Sequence, residues 1–277
     1  MPVALTIAGS DSSGGAGIQK DLEVFSCFGV YGASVVTCIT AQDSFGVHHV
    51  SKVKAKTVEI QLQKVLEDLA PCAVKIGMVW DKDTIEVVSR LLRSNGISKV
   101  VVDPVQRAKN HRTLLKTNAI RSLIKDIFPL AAVITPNTQE ASSILGTQIS
   151  SRAQAIEAGR ALVKLGPRFV LIKGGHLKET EACDILTDGR HVFEISMKRQ
   201  DGRVVHGTGC VYSSAICACL ALGLDVLHAV MVAKVFVNEA IRDAIPVGKG
   251  SLRAGKVDLN SVPVLGRLLG AIDVQRR

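Results

Sequence analysis

The feature that most narrows the possible folds is an alternation. Short runs rich in Val, Ile, Leu and Ala recur at Val3 to Ala8, Ala33 to Thr40, Ala73 to Ile76, Lys99 to Val102, Ala131 to Thr135 and Phe169 to Ile172, with helical patterning between them. Strands that carry few polar residues are buried on both faces, and strands separated by amphipathic helices build βαβ crossovers. The helical stripes are legible by period, as in Val58, Leu62, Val65, Leu66 and Leu69, and again in Ile156, Leu162 and Leu165. The sequence therefore predicts an α/β fold: a mostly parallel central sheet flanked by helices on both faces. Only 4% of residues are aromatic while 47% are hydrophobic, so an aliphatic core of good size suits that architecture.

Beyond Gly175 the pattern changes. Cys183 to Thr187 and His191 to Met197 flank the turn Asp188-Gly189-Arg190, which predicts a hairpin at the sheet edge. Two long helices are expected at roughly Gly209 to Leu222 and Asp225 to Asp243, and the basic end Val274-Gln275-Arg276-Arg277 reads as solvated. No internal repeat, linker or low-complexity stretch divides the chain, which predicts one domain over residues 1–277.

The net charge is +9, but Lys and Arg are dispersed and few aromatics are available to stack on bases, which argues against a nucleic-acid partner. An anionic small-molecule substrate and a solvated basic surface account for the excess. Seven cysteines, odd in number and scattered among apolar residues, fit a reducing, cytoplasmic location. Cys217 and Cys219, two apart on a helix, face away from each other and are assigned to packing. The opening Met1-Pro2 leads directly into a strand-like run, with no basic leader or cleavage pattern. The run Cys210 to Leu224 is too short to span a bilayer, so a soluble protein without a membrane partner is expected.

Several strands end in polar or Gly-rich clusters: Gly9 to Gly15, Gln42-Asp43, Gly77-Met78, Asp103-Pro104, Thr135-Pro136-Asn137 and Lys173-Gly174-Gly175-His176. Ligands of open α/β sheets bind beyond the carboxyl ends of strands, so these clusters are expected on one rim. The sharpest motif is His206-Gly207-Thr208-Gly209-Cys210, which runs straight into a helix. Converging N–H groups and the helix dipole make such a start an anion seat, and Cys210 there would have a lowered thiol pKa and could act as base or nucleophile. A flexible turn whose Cys merely packs is the alternative.

The loop Ala8 to Asp21 has neither P-loop nor dinucleotide-binding spacing and is assigned to the substrate side. Asp103, the helix start Asn137-Thr138-Gln139-Glu140 and Lys173 suit a kinase, which needs carboxylates for Mg²⁺ and a cation on the transferring phosphate. Singly, each could equally be an N-cap or surface charge.

Taken together and in order, Ala8-Gly9-Ser10-Asp11-x-Ser13-Gly14-Gly15-Ala16-Gly17-Ile18-Gln19-x-Asp21, Ala41-Gln42, Lys75-Ile76-Gly77-Met78, Asp103-Pro104-Val105, Thr135-Pro136-Asn137-x-x-Glu140-Ala141, Lys173-Gly174-Gly175-His176 and His206-Gly207-Thr208-Gly209-Cys210 resemble the hydroxymethylpyrimidine/phosphomethylpyrimidine kinases of thiamin biosynthesis. The resemblance implies a ribokinase-like fold, ATP as phosphoryl donor with Mg²⁺, and successive phosphorylation of 4-amino-5-hydroxymethyl-2-methylpyrimidine and its monophosphate. It places the pyrimidine near Gly9, Asp21, Gln42, Met78 and Val105, with Cys210 facing the hydroxymethyl group. Phosphate and metal fall near Asp103, Glu140, Lys173, Thr208 and Lys234, and Gly207 and Gly209 complete the anion seat. It also implies a homodimer.

The residues support one of these assignments independently: a Gln side chain pairs a donor with an acceptor, matching an amino group beside a ring nitrogen, so Gln42 could select an aminopyrimidine. Two positions depart from the family pattern. Ala108-Lys109 is followed by Asn110-His111-Arg112 where the family has Ser-Gly-Asp, and Val205 stands where Thr is common. Rival readings are a pyridoxal kinase of the same superfamily and a non-catalytic pyrimidine sensor, the altered loop being the sensor's only support.

Overall fold

In a computed structural model the described residues are 1–108, 110, 112–175, 181–200, 205–257 and 273–276. The chain opens with β1 (Val3–Asp11), α1 (Gly17–Cys27), a long β2 (Tyr31–Gln42) and β3 (Val47–Lys52). α2 (Ala55–Leu69), β4 (Ala73–Ile76), α3 (Lys82–Ser94) and β5 (Val100–Val102) follow. A short α4 (Thr117–Ser122) runs through a π turn and a 3-10 turn into β6 (Val133–Ile134). Then come α5 (Thr138–Leu145), α6 (Arg152–Val163), β7 (Phe169–Ile172), β8 (Glu181–Thr187), β9 (Val192–Lys198) and β10 (Val205–His206). The last elements are α7 (Thr208–Ala221), α8 (Val226–Arg242), β11 (Leu252–Arg253) and β12 (Asp273–Arg276).

Among the described residues ten strands form one sheet in the order β12-β9-β8-β7-β6-β5-β4-β1-β2-β3. The centre, from β7 to β2, is parallel, and antiparallel strands close both sides. Strand alternation divides the core: Leu5 and Ile7 of β1 join the cluster under α2 to α6, while Ala4 joins the one under α1, α7 and α8. The mostly parallel sheet with helices on both faces is thus as the sequence predicts.

Two expectations need correction, and one strand has no counterpart among them. The basic end is not simply solvated, because β12 pairs antiparallel with β9 from Asp273↔Ser196 to Arg276↔Phe193. The hairpin β8–β9 is consequently not the sheet edge. At the opposite edge, β3 pairs with β2, a strand whose polar Val47 to Lys52 sequence carries no apolar run to announce it.

Helix starts follow side-chain capping where the sequence offers it. Asp81, Ser151 and Asp225 each accept an N–H from the first turn of α3, α6 and α8. α7 has no such cap; Gly207 occupies the N-cap with φ 85°. From Val211 onward every residue of α7 is buried, so it is a helix apolar all round within the core. Cys217 and Cys219 are buried free thiols there. Among the described residues no helix is long and apolar enough to cross a membrane.

Candidate active site

A cavity of about 190 Å³ opens beyond the carboxyl ends of β1, β2, β4, β5 and β7, where the first turn of α7 meets them. Its shape begins with β1. The pairing of β1 with β2 shifts register between Ala8 and Gly9, which turns the strand end outward. Gly9 leaves the space: a Cβ there would lie 2.8 Å from Cys38 Sγ and 3.1 Å from Met78 Sδ. The following loop is held by Asp11, whose carboxylate accepts from Ser13 N, Ser13 Oγ and Ala16 N, each at 2.8 Å. Gly17 then starts α1 at φ 58°, packed so closely on Gly9 O that only glycine fits.

At one end of the cavity lie Gly9, Met78, Val105 and Gln42. Gln42 Nε2 sits 2.8 Å from His206 Nε2; an amide nitrogen can only donate, so the imidazole nitrogen accepts and the orientation of the amide is fixed. At the other end, Lys173 Nζ donates to Asp103 Oδ1 at 2.9 Å, and Thr135 Oγ1 reaches the same oxygen at 3.2 Å. Gly209 of α7 approaches both charges, its Cβ direction lying 3.5 Å from Lys173 Nζ and 3.6 Å from Asp103 Oδ2. The uncapped first turn of α7 supplies Gly207, Gly209 and Cys210 to the lining.

The charges interact strongly here. Asp103 is held below the usual carboxylate range: burial opposes this, but Lys173 and Lys75 outweigh it. Glu140 is pushed up to about 7, by burial first and by the charge of Asp103 as well, against the pull of Lys173. Its side chain also closes a capping box, Oε2 accepting Asn137 N at 2.8 Å while Asn137 Oδ1 accepts Glu140 N at 2.8 Å. Two carboxylates that repel within one cavity suit a hard divalent cation such as Mg²⁺, which takes oxygen ligands. Among the described residues no group of three or more His, Cys, Asp or Glu surrounds a common point, so water and substrate phosphates would complete its shell.

The expectation of a lowered thiol pKa at Cys210 is overturned. Burial pushes the thiol up to about 11; Lys75 and the N–H of Gly17 oppose the rise, while Asp21 and Asp103 add to it. A helix start does not outweigh the loss of water.

The structure brings Gly9, Gln42, Met78, Val105, Asp103, Glu140, Lys173, Gly207, Gly209 and Cys210 to this one cavity. Three expected residues are elsewhere. Lys234 is buried and donates to Asp184 Oδ2 at 2.7 Å, an oxygen that also accepts Tyr212 Oη at 3.0 Å; the carboxylate's other oxygen accepts Gly174 N at 2.8 Å. A lysine pointing inward from α8 satisfies its charge there and does not line the cavity. Asp21 is likewise fully buried beneath the floor, and Thr208 is not among the residues that line it. His176, Lys109 and His111 lie outside the described residues, whereas Asn110 and Arg112 donate to Val47 O and His48 O of β3.

Sequence reasoning named Lys75, Asn137 and His206 only within motifs and gave none of them a role of its own, although each lines the cavity. Lys75 carried a signal: it is a charged residue inside the otherwise apolar strand Ala73-Val74-Lys75-Ile76.

Comparison with known proteins agrees with this geometry. The profile of the family described as phosphomethylpyrimidine kinase matches residues 11–255. A hydroxymethylpyrimidine/phosphomethylpyrimidine kinase of Rhizobium meliloti (strain 1021) is 45% identical over 251 residues, covering 90% of this chain and 94% of that protein. Among solved structures, Bacillus subtilis pyridoxal kinase in complex with ADP superposes with a TM-score of 0.87 at 36% identity, covering 94% of this chain and 99% of that one. The phosphomethylpyrimidine kinase of Clostridium difficile 630 gives a TM-score of 0.75 at 44% identity, over 87% of this chain and 100% of that one. Fold, rim and sequence converge, and the chain belongs to the phosphomethylpyrimidine kinase family, with its ribokinase-like fold.

Proposed function

We propose that this protein uses ATP to phosphorylate 4-amino-5-hydroxymethyl-2-methylpyrimidine and then its monophosphate, in thiamin biosynthesis. The observation that carries the reading is the joint placement of Gln42 and the first turn of α7 in one cavity, with Lys173 and Asp103 beside that turn. Gln42, oriented by His206, keeps an amide N–H and Oε1 for the amino group and ring nitrogen of an aminopyrimidine. Gly9, Met78 and Val105 shape the space for the flat ring. The backbone N–H groups of Gly207 to Cys210 and the ammonium of Lys173 would receive the transferring phosphoryl group, where charge stabilisation and positioning supply most of the catalysis.

Asp103 and Glu140 would hold Mg²⁺, which supplies neutralisation of phosphate charge. The alcohol and monoester steps differ in what they ask of Cys210. A hydroxymethyl group must lose its proton as it attacks, whereas a monoester is already mostly ionised at pH 7. Cys210 lines the cavity at the first turn of α7 and, by the family resemblance, faces the hydroxymethyl group, so it would serve the alcohol step through the small thiolate fraction that burial leaves it. The reading extends to one kinase domain over 1–277, a homodimer and a cytoplasmic location, which the free cysteines favour.

A second reading, pyridoxal kinase, is favoured by the likeness to the Bacillus subtilis enzyme. Incubation with Mg-ATP and, separately, hydroxymethylpyrimidine, its monophosphate and pyridoxal, with products identified by mass, decides between them. Product from pyridoxal alone would overturn the pyrimidine assignment.

A further inference from the structure

Beneath the cavity floor lies a buried charge pair of Asp21, expected near the pyrimidine but enclosed below it, and Lys75, to which the expected chemistry gives no task. Asp21, on α1, accepts from Thr6 Oγ1 at 2.6 Å, Ser214 Oγ at 2.7 Å and Lys75 Nζ at 2.9 and 2.8 Å. Four hydrogen bonds saturate the carboxylate and fix it. Lys75, 1% exposed, spends two ammonium protons on the two oxygens of Asp21. An ammonium has three. Among the described residues no acceptor takes the third, and Lys75 lines the cavity together with Cys210 and Asp103. Gly77 leaves its surface open: a Cβ there would sit 3.0 Å from Nζ and 3.2 Å from Ala8 Cβ. Burial opposes the charge of Lys75, but the Asp21 and Asp103 carboxylates outweigh it and hold the ammonium protonated.

We propose that Lys75 is a catalytic residue whose third ammonium proton is donated to the reacting oxygen of the substrate, and that Asp21 is the positioning residue that aims it. This rests on the pyrimidine kinase reading and divides its two steps. The hydroxyl of the first substrate is a neutral acceptor; the phosphate of the second is charged, and hydrogen bonds to charged acceptors are the stronger. Lys75 therefore favours the monophosphate, as Cys210 favours the alcohol.

The test compares wild type with the neutral pair Asp21→Asn/Lys75→Met, which leaves no orphaned buried charge, and with Gly77→Ala, which keeps both charges but crowds Nζ. For each, kcat/KM is measured on the alcohol and on the monophosphate, with circular dichroism as a check on folding. The expected loss is about 10- to 100-fold on the monophosphate and under about 10-fold on the alcohol. Gly77→Ala should show the same selectivity and decides the matter if the double variant does not fold. Equal losses on the two substrates in a folded variant would reduce Lys75 to a structural role. Inorganic phosphate, titrated calorimetrically, gives a readout independent of turnover: binding at least about 10-fold weaker in the variants supports the assignment, and unchanged binding overturns it. If wild type turns over neither pyrimidine, the functional reading fails and the phosphate titration alone judges Lys75.

Discussion

Gly9→Ala separates the pyrimidine end of the cavity from its phosphate end. The new methyl would stand 2.8 Å from Cys38 Sγ and 3.1 Å from Met78 Sδ. Both are inside the roughly 3.5–4.0 Å of a relaxed contact, so both sulfurs are crowded, Cys38 by about 1 Å and Met78 by about half that. Cys38 is fully enclosed in β2, whereas Met78 borders the cavity and is unbranched, so Met78 moves. The free protein relieves the Met78 contact by letting that side chain into the cavity but keeps the one with the enclosed Cys38, which lowers stability by about 1–3 kcal/mol. Binding the pyrimidine pushes the side chain back and restores the overpacking, worth about 1–3 kcal/mol. At about 1.4 kcal/mol per factor of ten, pyrimidine affinity should fall by roughly 5- to 150-fold. Isothermal titration calorimetry with the hydroxymethyl pyrimidine measures this, and ATP affinity should stay within about 3-fold of wild type because Lys173 and Gly209 are untouched. Unchanged pyrimidine affinity in the folded variant would refute the placement of the ring beside Met78.

Cys210→Ala should cost about 100-fold in kcat/KM on the alcohol and under about 10-fold on the monophosphate. In wild type the alcohol step should accelerate by up to about tenfold per pH unit from pH 7 to 9, as thiolate accumulates toward a pKa of about 11, and more steeply than the monophosphate step, which gains only from the ionisation of Glu140 near 7. Glu140, at about 7 in the folded protein, lies above its ordinary 4.5, so its contribution to stability is complete below pH 4.5 and lost as pH rises through 7. Calorimetric unfolding should therefore show Glu140→Gln, which can retain the capping box, gaining on wild type between pH 5 and 8; a constant gap would contradict the assignment. Lys234→Met leaves Asp184 buried without its cation and should destabilise by about 3–5 kcal/mol, a fall in Tm of roughly 10 °C by thermal unfolding.

Periodicity located the parallel strands and the helices of the core because burial imposes it residue by residue; Leu62 and Leu66 of α2 and the apolar run of β4 show this directly. β3 and β12 escaped because edge strands need no apolar face on both sides, and their pairing is decided by backbone hydrogen bonds that side chains do not announce. Much of the site was legible as clusters at strand ends, since the parallel topology forces those ends together. Depth was not legible. Asp21 and Lys234 stand in helices at positions whose inward direction depends on partners far along the chain, Lys75 and Asp184, and a motif gives no sign of whether a charge meets solvent, substrate or its buried counterion. The raised thiol of Cys210 has the same origin, because burial is a property of the assembled rim.

The loop after β1 leans on the far end of the chain. Arg253 is buried, its Nη2 donates to Ser13 Oγ at 2.8 Å, and its guanidinium packs against Gly15, while its backbone exchanges hydrogen bonds with Ile245 at 2.9 and 3.0 Å. β11, which contains it, pairs with β10 at the threshold of α7. On the ribosome, a nascent chain that has not yet released Arg253 already holds the strands β1 to β9 and both long helices, but not the wedge that seats the glycine-rich loop against the anion-binding corner. The elements from β1 to α8 can thus form during synthesis before Arg253 seats the glycine-rich loop.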